Sequence, residues 1–155
     1  MPNAVFGSVT GDMVETGPMS SFNDDLMADF RAHGGKASSG PFVGRPLLLL
    51  TTVGARSGES RTVPLVYTRD GERYVIIASK GGAPTHPAWY HNLLAHPTVT
   101  LEVGEETFKA DAGVAEGAER RRLYDAQAAM MPAFAGYELK TDRVIPVITL
   151  VRRQD

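Results

Sequence analysis

The chain has 155 residues, 16 of them basic and 18 acidic, for a formal net charge of −2, and it contains no cysteine. That length suits one domain burying its own core, while the missing thiols exclude disulfides, thiolate metal sites and cysteine nucleophiles. The acidic balance argues against bulk nucleic-acid binding, and no apolar run reaches the ~18–20 residues of a membrane span.

Residues 1–20 hold Gly, Pro, Thr and scattered acids without periodicity, and read as a flexible N-terminal arm. They lack the charged start and apolar centre of a secretion signal, so a cytoplasmic protein is expected. Ser21 with Asp24 forms a capping-box pattern for a helix through Phe22, Leu26, Met27 and Phe30, stopped at Gly34-Gly35. A Gly- and Pro-rich loop over 40–46 leads into 47–52, whose unbroken apolar run predicts a strand buried on both faces. Strands over 61–68 and 73–79 flank Asp70-Gly71 and are expected to pair antiparallel across it. His86-Pro87 opens a short helix bearing Trp89, Tyr90, Leu93 and Leu94. A second hairpin pairs 98–103 with 106–114 across Gly104-Glu105, an amphipathic helix follows over 116–130, then a short turn or helix over 132–137 and a last strand over 144–151. About six mostly antiparallel strands with three or four helices specify an α+β barrel, because a doubly wound parallel sheet would need a helix after nearly every strand. Residues 21–155 then form a single domain.

The densest chemistry follows two of these strands. Gly54-Ala55-Arg56-Ser57-Gly58-Glu59-Ser60-Arg61 and Ala78-Ser79-Lys80-Gly81-Gly82 combine cations, small residues and glycines. Backbone amides beside glycine form anion-binding concavities and Arg forks add bidentate bonds, each charged contact being worth about 1.5–3 kcal/mol. The plain alternative is that Arg56, Arg61 and Lys80 are exposed hairpin-end charges; the glycines favour a closely approaching ligand. Trp89 and Tyr90 suit either core or ligand wall. Phe134 and Tyr137, beside Met130, Met131 and Pro132, line an apolar mouth or close the core. No G-x-G-x-x-G, P-loop or G-x-S-x-G motif is present. His86, His91 and His96 recur every five residues, away from the i, i+4 spacing of a zinc helix, and read as surface or capping residues, so no metal is expected. Arg120-Arg121-Arg122 reads as a solvated helix face.

Four spaced motifs, Leu49-Leu50-Thr51-Thr52-x-Gly54-x-Arg56-Ser57-Gly58-x-x-Arg61-x-x-Pro64-Leu65, Ala78-Ser79-Lys80-Gly81-Gly82, Pro87-x-Trp89-Tyr90-x-Asn92-Leu93 and Thr141-Asp142-Arg143-x-Ile145-Pro146, resemble the deazaflavin-dependent nitroreductase family of actinobacteria. The match runs in order over about residues 42–151. It implies a split β-barrel of the FMN-binding split-barrel-like type and coenzyme F-420, an 8-hydroxy-5-deazaflavin. It also implies hydride transfer from the reduced deazaflavin to a quinone, nitro compound or similar electron-poor acceptor. By that resemblance Arg56, Ser57, Gly58, Arg61 and Lys80 hold the coenzyme phosphate and acidic tail. Ala78, Ser79, Gly81 and Gly82 lie along the ring and its linker, and Trp89 with Tyr90 closes one wall. Phe134 and Tyr137 face the substrate pocket, with Ser79 and Tyr137 as the candidate catalytic hydroxyls. The chain departs from the pattern at Phe134, which has no hydroxyl, at Val66, where a tyrosine is expected, and at Ala55, which replaces what can be a basic residue. These departures bear on bulky nitroimidazoles more than on coenzyme binding. The alternatives are an FMN-binding oxidoreductase on the same barrel and a non-catalytic deazaflavin carrier. A monomer or homodimer is expected, with peripheral contact at the inner face of the membrane as the route to a lipid-borne quinone.

Overall fold

The structure is a computed structural model and describes residues 17–154, with side chains from residue 21 onward. In chain order it comprises α1 (Gly17–Ala32), β1 (Leu47–Val53), β2 (Ser60–Val66), β3 (Thr68–Asp70), β4 (Arg73–Ile77), a 3-10 turn (Lys80–Gly82), α2 (Ala88–Ala95), β5 (Thr98–Val103), β6 (Glu106–Val114), α3 (Gly117–Met130), α4 (Ala133–Glu138) and β7 (Val147–Arg152). The seven strands form one antiparallel sheet in the order β2-β1-β5-β6-β7-β4-β3. Its two edge strands, β2 and β3, are consecutive in the chain and separated only by Tyr67, whose amide donates to the Pro46 carbonyl at 3.1 Å. A sheet whose opposite edges share one residue must curl back on itself, and the result is the expected split β-barrel, with seven strands instead of about six.

The same joint corrects the expected strand over 61–68. It is two strands: β2 pairs with β1 in the register Leu49↔Pro64, and only β3 pairs with β4 across the Asp70-Gly71 turn. The last strand starts at Val147 instead of residue 144. Two carbonyls just before it are committed elsewhere, that of Pro146 to the Ala78 amide and that of Ile145 to Arg120. Helix α1 begins at Gly17, so Ser21 lies within the helix and is not its cap. Pro18 stands in the first turn, where no intrahelical N–H is needed. The last four residues of the expected 1–20 arm are therefore helical, and the rest of that arm lies outside the described residues. The stop at Gly34-Gly35 is as expected, with the Gly35 amide donating to Phe30 O at 2.8 Å.

Alternation along β1 splits the interior in two. Leu47 and Leu49 join Leu26, Phe30, Val75, Ile77, Leu123, Tyr124 and Phe134 beneath α1, α3 and α4. Leu48 and Leu50 join Tyr74, Ile76, Trp89, Leu93, Leu101 and Ile148 within the curl of the sheet, beside α2. Both faces of β1 are buried, which is why its sequence shows no polar alternation.

Ion pairs fasten the outer helices. Arg31 of α1 makes a bidentate pair with Glu102 of β5 at 2.8 and 2.9 Å. Next to it Gly35, at φ +92, packs so closely that a Cβ would sit 2.3 Å from the Gly104 Cα. The Arg120–Arg122 run is a solvated face at Arg121 and Arg122, which are exposed though ion-paired, but not at Arg120, which is half-buried. Arg120 donates twice to the Ile145 carbonyl and pairs with Glu138, Arg121 pairs with Asp125 and Glu138, and Arg122 with Asp70. Hydrogen bonds from Arg122 and Arg73 hold the Asp70 carboxyl down at about 2.

Candidate functional site

Four successive antiparallel pairings lead from β1 through β5, β6 and β7 to β4, so β1 and β4 run in the same direction. Their C-terminal ends, and with them the 54–61 and 78–86 loops, emerge at the same end of the sheet. Helix α2 touches both. Its Asn92 donates to Thr52 Oγ1 at 3.1 Å and accepts from the Ala55 amide at 2.9 Å, while its Tyr90 stacks on His86 at 4.8 Å between ring centres.

The 54–61 loop is folded on itself and open outward. The Gly54 amide donates to Glu59 O at 2.8 Å and the Gly58 amide to Gly54 O at 3.0 Å, while Ser57 Oγ accepts from the Glu59 amide at 3.1 Å. A Cβ on Gly54 would lie 2.5 Å from Ser57 Oγ, so this glycine serves the loop's own packing; Gly58, at φ +74, faces open space. Arg56, Ser57 and Gly58 are exposed, and the amides of Arg56 and Ser57 donate to no group among the described residues. Arg56 has no ion-pair partner among them, and Arg61 only a loose one in Glu59 at 3.7 Å.

The 78–86 loop is wired. Ala78 and Ser79 are buried, Ser79 being 6% exposed, and Lys80 has φ +48, which costs a non-glycine residue about 1–2 kcal/mol. Gly81 and Gly82 continue the left-handed backbone. The turn closes through Gly82 N to Ser79 O at 2.9 Å and Ala83 N to Lys80 O at 3.1 Å, and Lys80 Nζ reaches Thr85 Oγ1 at 3.2 Å. The amides of Ser79, Lys80 and Gly81 donate to no group among the described residues. Arg143 crosses beneath, donating to the carbonyls of Ala78 at 3.2 Å, Ser79 at 2.7 Å and Ala83 at 2.8 Å, and to His86 Nδ1 at 2.8 Å. A guanidinium only donates, so Nδ1 must accept and the His86 proton resides on Nε2. Burial, with the Arg143 charge and the neighbouring His91 adding to it, lowers the His86 pKa.

Against this turn lies α4. A Cβ on Gly82 would meet Lys140 Cβ at 2.9 Å and the Tyr137 carbonyl at 3.0 Å, so Gly82 is small because α4 packs on it. Phe134 and Tyr137 stack edge to face at 5.2 Å. Phe134 is buried in the outer core, its carbonyl accepting the Tyr124 hydroxyl at 2.5 Å, whereas Tyr137 is half-buried at the core's margin. Trp89 is 4% exposed within the inner core, and its Nε1 has no hydrogen-bond partner among the described residues. Val66 is buried.

The sheet end therefore gathers Arg56, Ser57, Gly58, Arg61, Ala78, Ser79, Lys80, Gly81 and Gly82, with Tyr137 alongside, while Trp89 and Phe134 lie behind in the core. Asn92 and Arg143 were given no role from sequence. An Asn on the helical face shared with Trp89 and Leu93 is the signal that finds Asn92; Arg143 lay in a recognised motif but its acceptors are carbonyls. A separate cavity of about 370 Å³, lined by Phe30, Arg31, Glu102, Glu105 and Thr107, sits at the opposite end of β5 and is acidic. Among the described residues no cluster of side chains could hold a metal ion, and no helix is long and apolar enough to cross a membrane.

Residues 25–152 match the family model for F420H(2)-dependent quinone reductase. An F420H(2)-dependent quinone reductase of Mycobacterium tuberculosis is 41% identical over 111 residues, covering 70% of this chain and 74% of that protein. A solved F420-H2 dependent reductase aligns with a TM-score of 0.63 at 42% identity, covering 68% of this chain and 94% of its own. A second solved structure, described as a domain-swapped dimer, aligns with a TM-score of 0.65 at 34% identity, covering 86% of this chain and 99% of its own. Two cation-bearing loops at one end of a split barrel and a match over most of the chain agree: the protein belongs to the F420H(2)-dependent quinone reductase family of oxidoreductases, whose cofactor is coenzyme F-420.

Proposed function

We propose that the chain uses reduced coenzyme F-420 to reduce a quinone-type acceptor at the sheet end between the 54–61 loop, the 78–86 loop and α4. The observation that carries this reading is the convergence of two loops with complementary donor sets on one end of the sheet. Arg56, Arg61 and Lys80 supply three cations, and the unpaired amides of Arg56, Ser57, Ser79, Lys80 and Gly81 supply fixed dipoles. That donor chemistry fits a coenzyme carrying a phosphate and an acidic tail. When bound, the coenzyme supplies the hydride.

The protein's own residues then have three tasks. Arg56, Ser57, Gly58 and Arg61 hold the anionic tail, and Lys80 adds charge where tail and ring meet. Ala78, Ser79, Gly81 and Gly82 offer a rigid backbone turn beside the ring, with the inner core around Trp89 behind the loops keeping water out. Tyr137 and Met131, backed by the buried Phe134, suit a flat apolar acceptor, nitroaromatics being the secondary class. A proton for the reduced acceptor comes from the Tyr137 or Ser79 hydroxyl. Orientation of donor and acceptor in a near-attack pose is the main catalytic contribution open to such a site, worth up to about 7–11 kcal/mol.

A side-by-side fluorescence titration with F-420 and with FMN, in wild type and Lys80→Ala, tests the reading. Micromolar or tighter F-420 binding that weakens in the variant is expected. Binding of FMN alone moves the chain to flavin chemistry, and tight F-420 binding without turnover over a panel of quinones makes it a carrier.

A further inference from the structure

We propose that Arg143 is the positioning residue of the coenzyme loop: one guanidinium, spread over three carbonyls and an imidazole, turns the Ser79 and Lys80 amides toward the ligand. The inference rests on the reading above that the 78–86 loop lies along the coenzyme. In a trans peptide the C=O and the following N–H point in opposite directions. Arg143 draws the Ala78 carbonyl to 3.2 Å and the Ser79 carbonyl to 2.7 Å, so the Ser79 and Lys80 amides, which share those peptide planes, point away from it. Those two are among the amides that donate to no group in the described residues. The third carbonyl, that of Ala83 at 2.8 Å, belongs to the peptide before Pro84, where no N–H remains to be directed. Arg143 therefore closes the far side of the turn and leaves the donors on the near side. The left-handed Lys80, which carries the loop's cation, is held between two of these fixed points.

The contact set also explains why the residue is arginine. Four acceptors spread from Ala78 to His86 need a planar fork with several separated N–H groups; a lysine ammonium presents its three donors from one atom. His86 contributes as a neutral acceptor through Nδ1, with its ring wedged against Tyr90 and His91 at 4.8 and 5.8 Å. A purely structural arginine is available for comparison. Arg120 also donates to backbone, with two bonds to the single carbonyl of Ile145, but outside the loop.

Binding of oxidised F-420 is to be measured by fluorescence for the full chain as wild type, Arg143→Gln, Arg143→Lys and Arg120→Gln, with a thermal melt of each. The expected result is at least tenfold weaker binding in Arg143→Gln, recovery of no more than threefold in Arg143→Lys, and a change under twofold in Arg120→Gln although it too melts earlier. If Arg143→Gln does not fold, Arg143→Lys decides. Binding within twofold of wild type in Arg143→Lys overturns the assignment, as does equal weakening in Arg120→Gln. Failure of the wild type to bind F-420 overturns the functional reading itself, and this inference with it.

Discussion

The 54–61 and 78–86 loops leave the same end of the sheet and carry the same kind of charge, yet they are built oppositely. The first is anchored only at its root, by Asn92 and the Gly54 turn, and leaves its arginines to solvent. The second has the carbonyls of Ala78, Ser79, Lys80 and Ala83 all accepting hydrogen bonds, with a strained lysine in the middle. A flexible acidic tail is best met by long side chains that can follow it, while a rigid ring needs a shelf that does not move. On the proposed reading, the difference between the loops matches the difference between the two ends of such a ligand.

Three results would sharpen or break that contrast. The largest expected effect is from Arg56→Ala combined with Arg61→Ala. Two charged contacts at about 1.5–3 kcal/mol each predict at least ~100-fold weaker F-420 binding. Unfolding free energy should move by less than about 0.5 kcal/mol, since both side chains are exposed. Titration and urea unfolding of one sample check both halves, and a large stability loss would show that the open loop is structural after all. Next is Gly82→Ala, which adds a Cβ at φ +84 against the Tyr137 carbonyl and Lys140. A loss of about 1–3 kcal/mol is expected, with a lowered urea midpoint. An unchanged midpoint would mean that α4 can yield and that the wired loop is less rigid than drawn. The smallest effect concerns pH. Because the folded-state pKa of His86 is lowered, the unfolded chain binds that proton more readily. The stabilisation is complete above the ordinary histidine value of about 6.5 and declines as pH falls below it. Melting temperatures from pH 7.5 to 5 should therefore drop more steeply in wild type than in His86→Gln, and parallel curves would remove His86 from the frame.

Much of this architecture is legible from residue order where one element decides its own form. The hairpin expected over 98–103 and 106–114 appears with those bounds as β5 and β6, because alternation and a Gly-containing turn are local properties. The apolar run from residue 47 is buried on both faces for the same reason. The break at Tyr67 was not legible: nothing in its residue type separates it from its neighbours, and the division follows from β2 choosing β1 and β3 choosing β4. Of the α3 arginines only Arg120 departs from a solvated face, because its partners Glu138 and the Ile145 carbonyl are distant in sequence. Of the site, the cations and the open Gly58 were readable from strand, loop and glycine pattern. Gly54 and Gly82 turned out to answer to neighbouring atoms of the chain itself. Arg143 stayed hidden because carbonyls, its principal acceptors, leave no mark in a sequence.

The single-residue joint between the sheet's two outermost strands also bears on the borders that the sheet presents to other chains. Exposed strand edges are templates on which another chain can add a strand and seed aggregation. Here the two outermost strands meet at Tyr67, and each is paired on one side among the described residues. β2 further carries Pro64, a residue that offers no N–H to a newcomer and that sheets tolerate at their margins. That proline removes one donor from the β2 border and so weakens it as a template for a further strand.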